Sequence, residues 1–227
     1  METLTDIPFE LDTQRLTQHA HVRPGCDDAV AFENLVDRAR AVARPKAGYR
    51  EAFIDAKGED TVTIDGITFT SVMLRRNLEQ VERVFPFVVT CGRELDEVAP
   101  SGGDFVQTFW WDLIKAEILG VAIKRLGEHM DRRFLLPHTA TMHPGSGDAD
   151  VWPIEQQKGL FALLGNVTEQ IGVELTDSYL MVPNKTVSGI RFPTEKDFRS
   201  CQVCRRQECP NRSAAFDESL WALMQHE

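Results

Sequence analysis

Long apolar runs, positive charge and tyrosine are all scarce in this chain of 227 residues. No window approaches the roughly 18 uninterrupted apolar residues that a membrane helix requires, so no membrane partner is expected. Lysine and arginine number 25 against 35 aspartates and glutamates, a formal net charge of −10. No basic stripe lies outside the cysteine region, which argues against a nucleic-acid partner. The N-terminus lacks a basic-then-apolar leader pattern. With five cysteines, an odd number, and no export signal, a reducing cytoplasm is the expected location. There is no glycine-rich phosphate loop, no Ser-His-Asp ordering and no His-Glu-x-x-His pair, so hydrolase and kinase readings have no support and no catalytic residue is singled out. Internal repeats and low-complexity segments are also absent. The length suits one large domain, or one domain with an appended tail, and is ample to bury a core.

What is present reads as mixed secondary structure. A strand is expected near Phe9–Leu16. Asp27 or Asp28 can cap a helix to about Ala43, with Phe32, Leu35, Val36, Ala39 and Val42 on one stripe. Val62 and Ile64, then Asp65-Gly66, then Ile67 and Phe69 predict two strands around a tight turn. A short helix over about Ser71–Val84 and a buried strand Phe85–Thr90 follow, ending at Cys91-Gly92. Gly103-Asp104 opens the longest helix, about Asp104–Arg132, with Phe109, Leu113, Ala116, Leu119, Ala122, Ile123 and Leu126 on its apolar side. One of Trp110 and Trp111 is expected in the core and the other partly exposed. Residues 136–152 read as a loop, and long loops inside domains are often functional. Trp152-Pro153 starts a helix to Leu164. Ser178–Val182 and Val187–Phe192 are expected to close the sheet. Without a βαβ rhythm the class is α+β, a central, mostly antiparallel twisted sheet flanked by helices.

Three cysteines, Cys201, Cys204 and Cys209, fall within nine positions. A C-x2-C pair sets two sulfurs within reach of one metal centre, and this pattern predicts zinc, an iron–sulfur cluster or a thiol–disulfide role. Three thiolates do not close a structural zinc site, so a fourth ligand would come from Cys91, Cys26 or a distant histidine, or the position stays open. The Cys209-Pro210 pair is of the kind that closes cluster-binding runs, although the spacing is not a ferredoxin's. Arg199, Arg205, Arg206 and Arg212 crowd the run, either lowering thiolate pKa values or simply solvating a tail.

The run from Leu175 to Gly189, which contains Thr176-Asp177-Ser178-Tyr179-Leu180-Met181-Val182-Pro183 and Val187-Ser188-Gly189, resembles a signature of the activation domain of cobalamin-dependent methionine synthase. Two further segments agree in the family's order. One is Val89-Thr90-Cys91-Gly92 with Gly103-Asp104. The other is Pro144-Gly145 with Trp152-Pro153-Ile154-Glu155-Gln156-Gln157-Lys158-Gly159-Leu160-Phe161. The resemblance covers about residues 60–195. It implies an activation-domain-like unit over residues 1–195, with 196–227 as an added Cys-rich segment. It implies a job as well: holding a corrinoid-carrying methyltransferase or methionine synthase protein while inactive cob(II) is reduced and remethylated from S-adenosylmethionine. The protein is then expected to act in trans on its partner's cobalamin.

The family's S-adenosylmethionine loop reads Arg-x-x-Pro-Gly-Tyr, where this chain has Thr141-Met142-His143-Pro144-Gly145-Ser146. Threonine cannot reproduce an arginine's two-pronged grip on a carboxylate. His143 or His138 is a candidate to compensate, against the alternative of a solvated loop residue. The cofactor-binding candidates are therefore His143, Pro144, Gly145, Ser146, Ser188 and Gly189, and the metal candidates Cys201, Cys204, Cys209 and Cys91. Asp104 and Glu117 offer carboxylates on the long helix, Asp104 also fitting a helix cap. Lys185 and Arg191 are candidates for corrinoid amides or a nucleotide tail, with exposed strand charge as the ordinary alternative. Two readings follow: a corrinoid activator with its own iron–sulfur centre as electron donor, or a non-catalytic corrinoid-protein-binding module with structural zinc.

Overall fold

The computed structural model describes residues 1–100, 103–209 and 212–224. In chain order the elements are β1 (Glu2–Leu4), α1 (Thr13–His19), α2 (Asp27–Val42), β2 (Lys46–Tyr49) and β3 (Ala52–Lys57). Then come β4 (Thr61–Ile64), β5 (Ile67–Thr70), α3 (Val72–Asn77), β6 (Arg83–Thr90), α4 (Glu94–Glu97) and α5 (Phe105–Phe134). They are followed by β7 (Thr139–Met142), α6 (Gln157–Leu164), α7 (Val167–Ile171), β8 (Glu174–Leu175), β9 (Met181–Val182), β10 (Thr186–Pro193) and α8 (Glu218–Ala222). Short 3-10 turns occupy Ile154–Gln156 and Ser200–Val203.

Eight strands form one sheet in the order β1-β2-β6-β3-β4-β5, with β10 also on β6 and β7 on β10. Every pairing is antiparallel. This is the expected α+β sheet flanked by helices. At its centre β6 is buried along nearly its whole length. Because side chains alternate along a strand, Val84 and Val88 join one core cluster with Phe69, Trp152 and Ile190, whereas Phe85, Phe87 and Val89 join another with Ala122, Leu126 and Met130 of α5. A third cluster packs α1 and α2 on the first half of α5. Pro86 has no N–H to offer a neighbour. The two-residue interval Arg50-Glu51 between β2, which ends with Tyr49 opposite Phe87, and β3, which starts with Ala52 opposite Val84, falls beside it.

Local chemistry explains most boundaries. Asp65 and Gly66 both have positive φ (42° and 80°), as the tight β4–β5 hairpin turn requires. Asp104 caps α5, its carboxylate accepting from Gln107 N at 2.9 Å.

Several expectations are corrected. Residues 9–12 form no strand, and 13–19 are helical as α1, capped by Asp12. The helix after Ser71 stops at Asn77, and strand β6 already begins at Arg83. The apolar side of α5 is offset from the expected stripe: Phe109 is 50 % exposed, and the buried row includes Trp110, Ile114, Ile118, Leu126 and Met130. Trp110 and Trp111 are both buried, because each indole N–H finds a backbone acceptor, Ala20 O at 3.2 Å and Leu95 O at 3.1 Å. Ser178–Val182 does not join the sheet; Tyr179 has φ 63° and the short β9 pairs only with β8. The expected loop over 136–152 also contains a strand, β7. Among the described residues no helix is long and apolar enough to cross a membrane.

Candidate functional site

The β7–β10 pair and the loop leaving it bring the expected loop and strand residues together. Met142 lies opposite Ile190 in register, so the chain leaves β7 beside Ser188 and Gly189. His143 turns back onto β10, its Nδ1 2.8 Å from the Ser188 carbonyl. A carbonyl only accepts, so Nδ1 carries the proton and Nε2 is the free acceptor. Phe87 meets the imidazole edge-to-face at 5.9 Å between ring centres. Burial lowers the His143 pKa, and the bond to Ser188 opposes that shift only in part. The ring is therefore neutral near pH 7.

Gly189 makes this close approach possible. A Cβ there would stand 2.4 Å from the Met142 carbonyl oxygen and 2.7 Å from His143 Nδ1. On the other face of β10 the Ser188 hydroxyl donates to the Oε1 of buried Gln157 at 2.7 Å. Pro144 is buried. Gly145 has φ 73° and donates its N–H to Trp152 O at 2.8 Å, while Ser146 N–H reaches back to His143 O at 3.2 Å. The loop is thus a set of short internal closures rather than a floppy connection.

The C-terminal segment fastens this loop from outside. Arg205 donates from Nε and Nη2 to the two oxygens of Asp148 at 2.6 and 3.0 Å. Its guanidinium also stacks on Trp221 at 4.4 Å, and Gly147 lies against Cys204, so that an added Cβ would be 3.6 Å from the cysteine's own. The hydrogen bond from Arg205 holds the Asp148 carboxyl below the usual carboxylate range. A depressed carboxylate pKa contributes stability above the ordinary value near 3.9 and loses it as pH falls through the lowered value. Asp148→Asn is therefore expected to speed amide exchange in residues 143–152 and 200–206 at neutral pH. The difference from the unaltered chain should vanish in strong acid. Equal exchange at neutral pH would mean that the pair fastens nothing.

The cysteines are not gathered in the same way. Among the described residues no three His, Cys, Asp or Glu side chains are grouped so as to hold a metal ion, and the thiols of Cys201, Cys204 and Cys209 are free. As arranged, the described residues of this run form neither a cluster site nor a closed zinc site. Pro210 lies outside the described residues. Arg212 holds the run by its backbone, donating to Cys201 O at 3.0 Å and Cys204 O at 3.2 Å. Cys201 Sγ accepts from Ser213 Oγ and N, both at 3.4 Å, and these bonds lower its pKa. Cys91 sits in the helix-side cluster with Leu95 and Trp111, a different cluster from that of Val203. Burial pushes its thiol up to about 12. Iodoacetamide at neutral pH is thus expected to label Cys201 well ahead of Cys91 in the native chain, as read by peptide mass. Equal labelling would contradict this arrangement.

Other candidates lie elsewhere. His138 borders a separate open groove with Arg76 and Lys196. Glu117 pairs with Arg15, and Lys185 with Asp112 at 2.8 Å. Arg191, by contrast, is at the site. It borders a cleft of about 80 Å³ between β7, β10 and α5, together with Thr141, His143, Phe87 and Gly127. Gln157 and Asp148 also belong to the surroundings of the loop, and neither stood out in the sequence. Gln157 lies within the resembling run Trp152–Phe161 and Asp148 between it and Pro144-Gly145, and that placement was their only signal.

Comparison with known proteins bears on the same segment. Residues 137–208 match the family model "Vitamin B12 dependent methionine synthase, activation domain". The fold is similar to that in the crystal structure of the MetH reactivation domain bound to AdoHcy, with a TM-score of 0.54 and 15 % identity over 85 % of this chain and 73 % of that one. At such identity the likeness shows the fold. No curated protein matches the chain by sequence.

Proposed function

We propose that this chain, which carries the B12-dependent methionine synthase activation-domain pattern over residues 137–208, holds a corrinoid-carrying partner while the partner's inactive cobalt(II) form is reduced and remethylated. One observation carries this reading: the matched segment spans β7, the His143–Ser146 loop, α6 and β10, and these are the parts that pack into one site. S-adenosylmethionine, when bound, supplies the methyl group, and the similar MetH domain was crystallised with AdoHcy.

The chain's own residues act by positioning. The His143 bond to Ser188 and the bare backbone at Gly189 hold the loop against β10. Gln157 fixes Ser188 from the other face, so the loop is anchored on two rigid elements rather than one. A neutral His143 adds no positive charge beside a sulfonium ligand. Arg191 and Thr141 border the cleft beside it. The Arg191 guanidinium, steadied through Nη2 by Asp131, suits the carboxylate end of such a ligand.

The test is anaerobic. The chain is added to the cob(II) form of a methionine synthase corrinoid domain, with titanium(III) citrate as electron donor and S-adenosylmethionine as methyl donor. The expected result is a changed cob(II) absorption spectrum on mixing, followed by accumulation of methylcorrinoid and S-adenosylhomocysteine in equal amounts. An unchanged spectrum with no methylcorrinoid would overturn the reading.

A further inference from the structure

Thr141 stands where the resembled signature has its arginine, and a cationic group is nevertheless beside it. In the β7–β10 ladder Arg191 is the residue directly opposite Thr141. Side chains of directly paired residues in an antiparallel ladder project to the same face. For this pair that face is the one α5 covers, since Ile190 and Met142, the next pair along, belong to the core on the other side.

The guanidinium is held in a defined place. Arg191 Nη2 lies 2.7 and 3.0 Å from the two Asp131 carboxylate oxygens. Nη1 lies over Gly127 of α5, 3.2 Å from where a Cβ at that position would be. Glycine costs a helix interior about 0.5–1 kcal/mol relative to alanine, and here its bare surface leaves space for the arginine. Nε is buried without a hydrogen-bond partner. Buried guanidinium N–H groups are rarely left without an acceptor. The side chain is 20 % exposed and that of Asp131 41 % exposed, so a small ligand can reach a positive and a negative group side by side. The adjoining cleft, about 80 Å³, is worth two or three water molecules at roughly 30 Å³ each. That is room for a carboxylate and its α-carbon, not for a nucleoside.

We infer that Arg191 replaces the missing loop arginine as the carboxylate-binding group, and that the Arg191–Asp131 pair recognises the zwitterionic α-amino-acid end of an S-adenosyl ligand. This rests on the reading of the site given above. Arg191 takes the carboxylate, and Asp131 matches the ammonium. A purely structural role, fastening β10 to α5, predicts something different: variants that melt earlier without any change in which ligands are preferred.

The experiment uses the full chain and calorimetric titration with two probes. S-adenosylhomocysteine carries the amino-acid end, and 5′-methylthioadenosine keeps the adenosine and sulfur but lacks it. The unaltered chain should favour S-adenosylhomocysteine. Arg191→Gln should weaken that ligand roughly tenfold or more, the usual scale for losing a charge-assisted hydrogen bond, and leave 5′-methylthioadenosine unchanged. Asp131→Asn, a milder change at a partly exposed position, should do the same to a smaller degree, and serves if Arg191→Gln fails to fold. Thr141→Arg in the Arg191→Gln background should recover affinity. If both probes weaken equally, or if the variants bind S-adenosylhomocysteine as the unaltered chain does, the assignment is wrong and the ligand reading of the site stands. If the unaltered chain binds neither probe, the ligand reading itself fails and the assignment with it.

Discussion

Gly189→Val is expected to unseat the loop and destabilise the whole chain. The obstacle is backbone rather than a movable side chain: an added Cβ would stand 2.4 Å from the Met142 carbonyl oxygen. Overpacking against side chains costs about 1–3 kcal/mol, occasionally more. Here the strands β7 and β10 must part, so the upper end of that range or beyond is expected. For a chain of this size each kcal/mol lowers Tm by about 2–4 °C. On the function proposed above, S-adenosylhomocysteine affinity should fall with it, because His143 loses its position on Ser188. Gly120→Ala supplies the contrast. A Cβ at that helical position would meet nothing within 4 Å, and the change should stabilise by about 0.5–1 kcal/mol. Similar melting of the two variants would show that the close approach at Gly189 does not constrain the site.

Trp152→Ala should be the most costly of the core substitutions near the loop. The side chain is fully buried and meets Phe69 edge-to-face at 5.8 Å. Its indole N–H donates to Gln156 Oε1 at 3.1 Å, and the same amide bridges Thr70 N at 2.9 Å and Thr70 O at 2.6 Å. Removing so large a buried side chain typically costs about 3–5 kcal/mol. The Trp152 carbonyl also accepts from Gly145 N–H, so loss of packing should carry over to the loop. Trp152→Phe keeps most of the ring and removes the donor, and should cost nearer 1 kcal/mol. Urea unfolding measures both. A cost below about 1 kcal/mol for alanine would show that the surrounding core collapses onto the vacancy.

Much of this architecture was readable from side-chain pattern alone. The Asp65-Gly66 hairpin, the start of α5 at Asp104 and the strand β10 follow from turn chemistry, capping and alternation; the span of α2 follows from its apolar stripe, whereas the expected cap by Asp27 or Asp28 is corrected, since both lie in its first turn and Cys26 takes the cap position. The errors came where two patterns compete. In α5, Phe109 and Trp110 each begin a plausible apolar stripe, and only packing against α1 and α2 selects the second. At Ser178–Val182 the apolar residues suggest a strand, whereas the positive φ of Tyr179 turns the chain away.

The site divides in the same way. Pro144-Gly145 and Ser188-Gly189 stood out through their likeness to a known signature, and His143 and Ser146 through their place beside it; the structure brings these residues together. Arg191 stood out only as a candidate for corrinoid amides or a nucleotide tail, because a charge at alternate strand positions usually faces water; its place depends on register with Thr141 and on Gly127 and Asp131 of α5. Cysteine spacing likewise bounds how far apart the sulfurs can be and says nothing of where Arg212 and Ser213 direct them.

The alternation along β6 has a consequence of its own. The strand is a party wall, with Val84 and Val88 furnishing one room and Phe85, Phe87 and Val89 the other. Neither room can be emptied without stripping one side of a strand that the other still needs covered. The two cores are therefore expected to melt together, and the loop at the end of β7 to depend on both. A substitution deep beneath α5 can loosen that loop as effectively as one beside it.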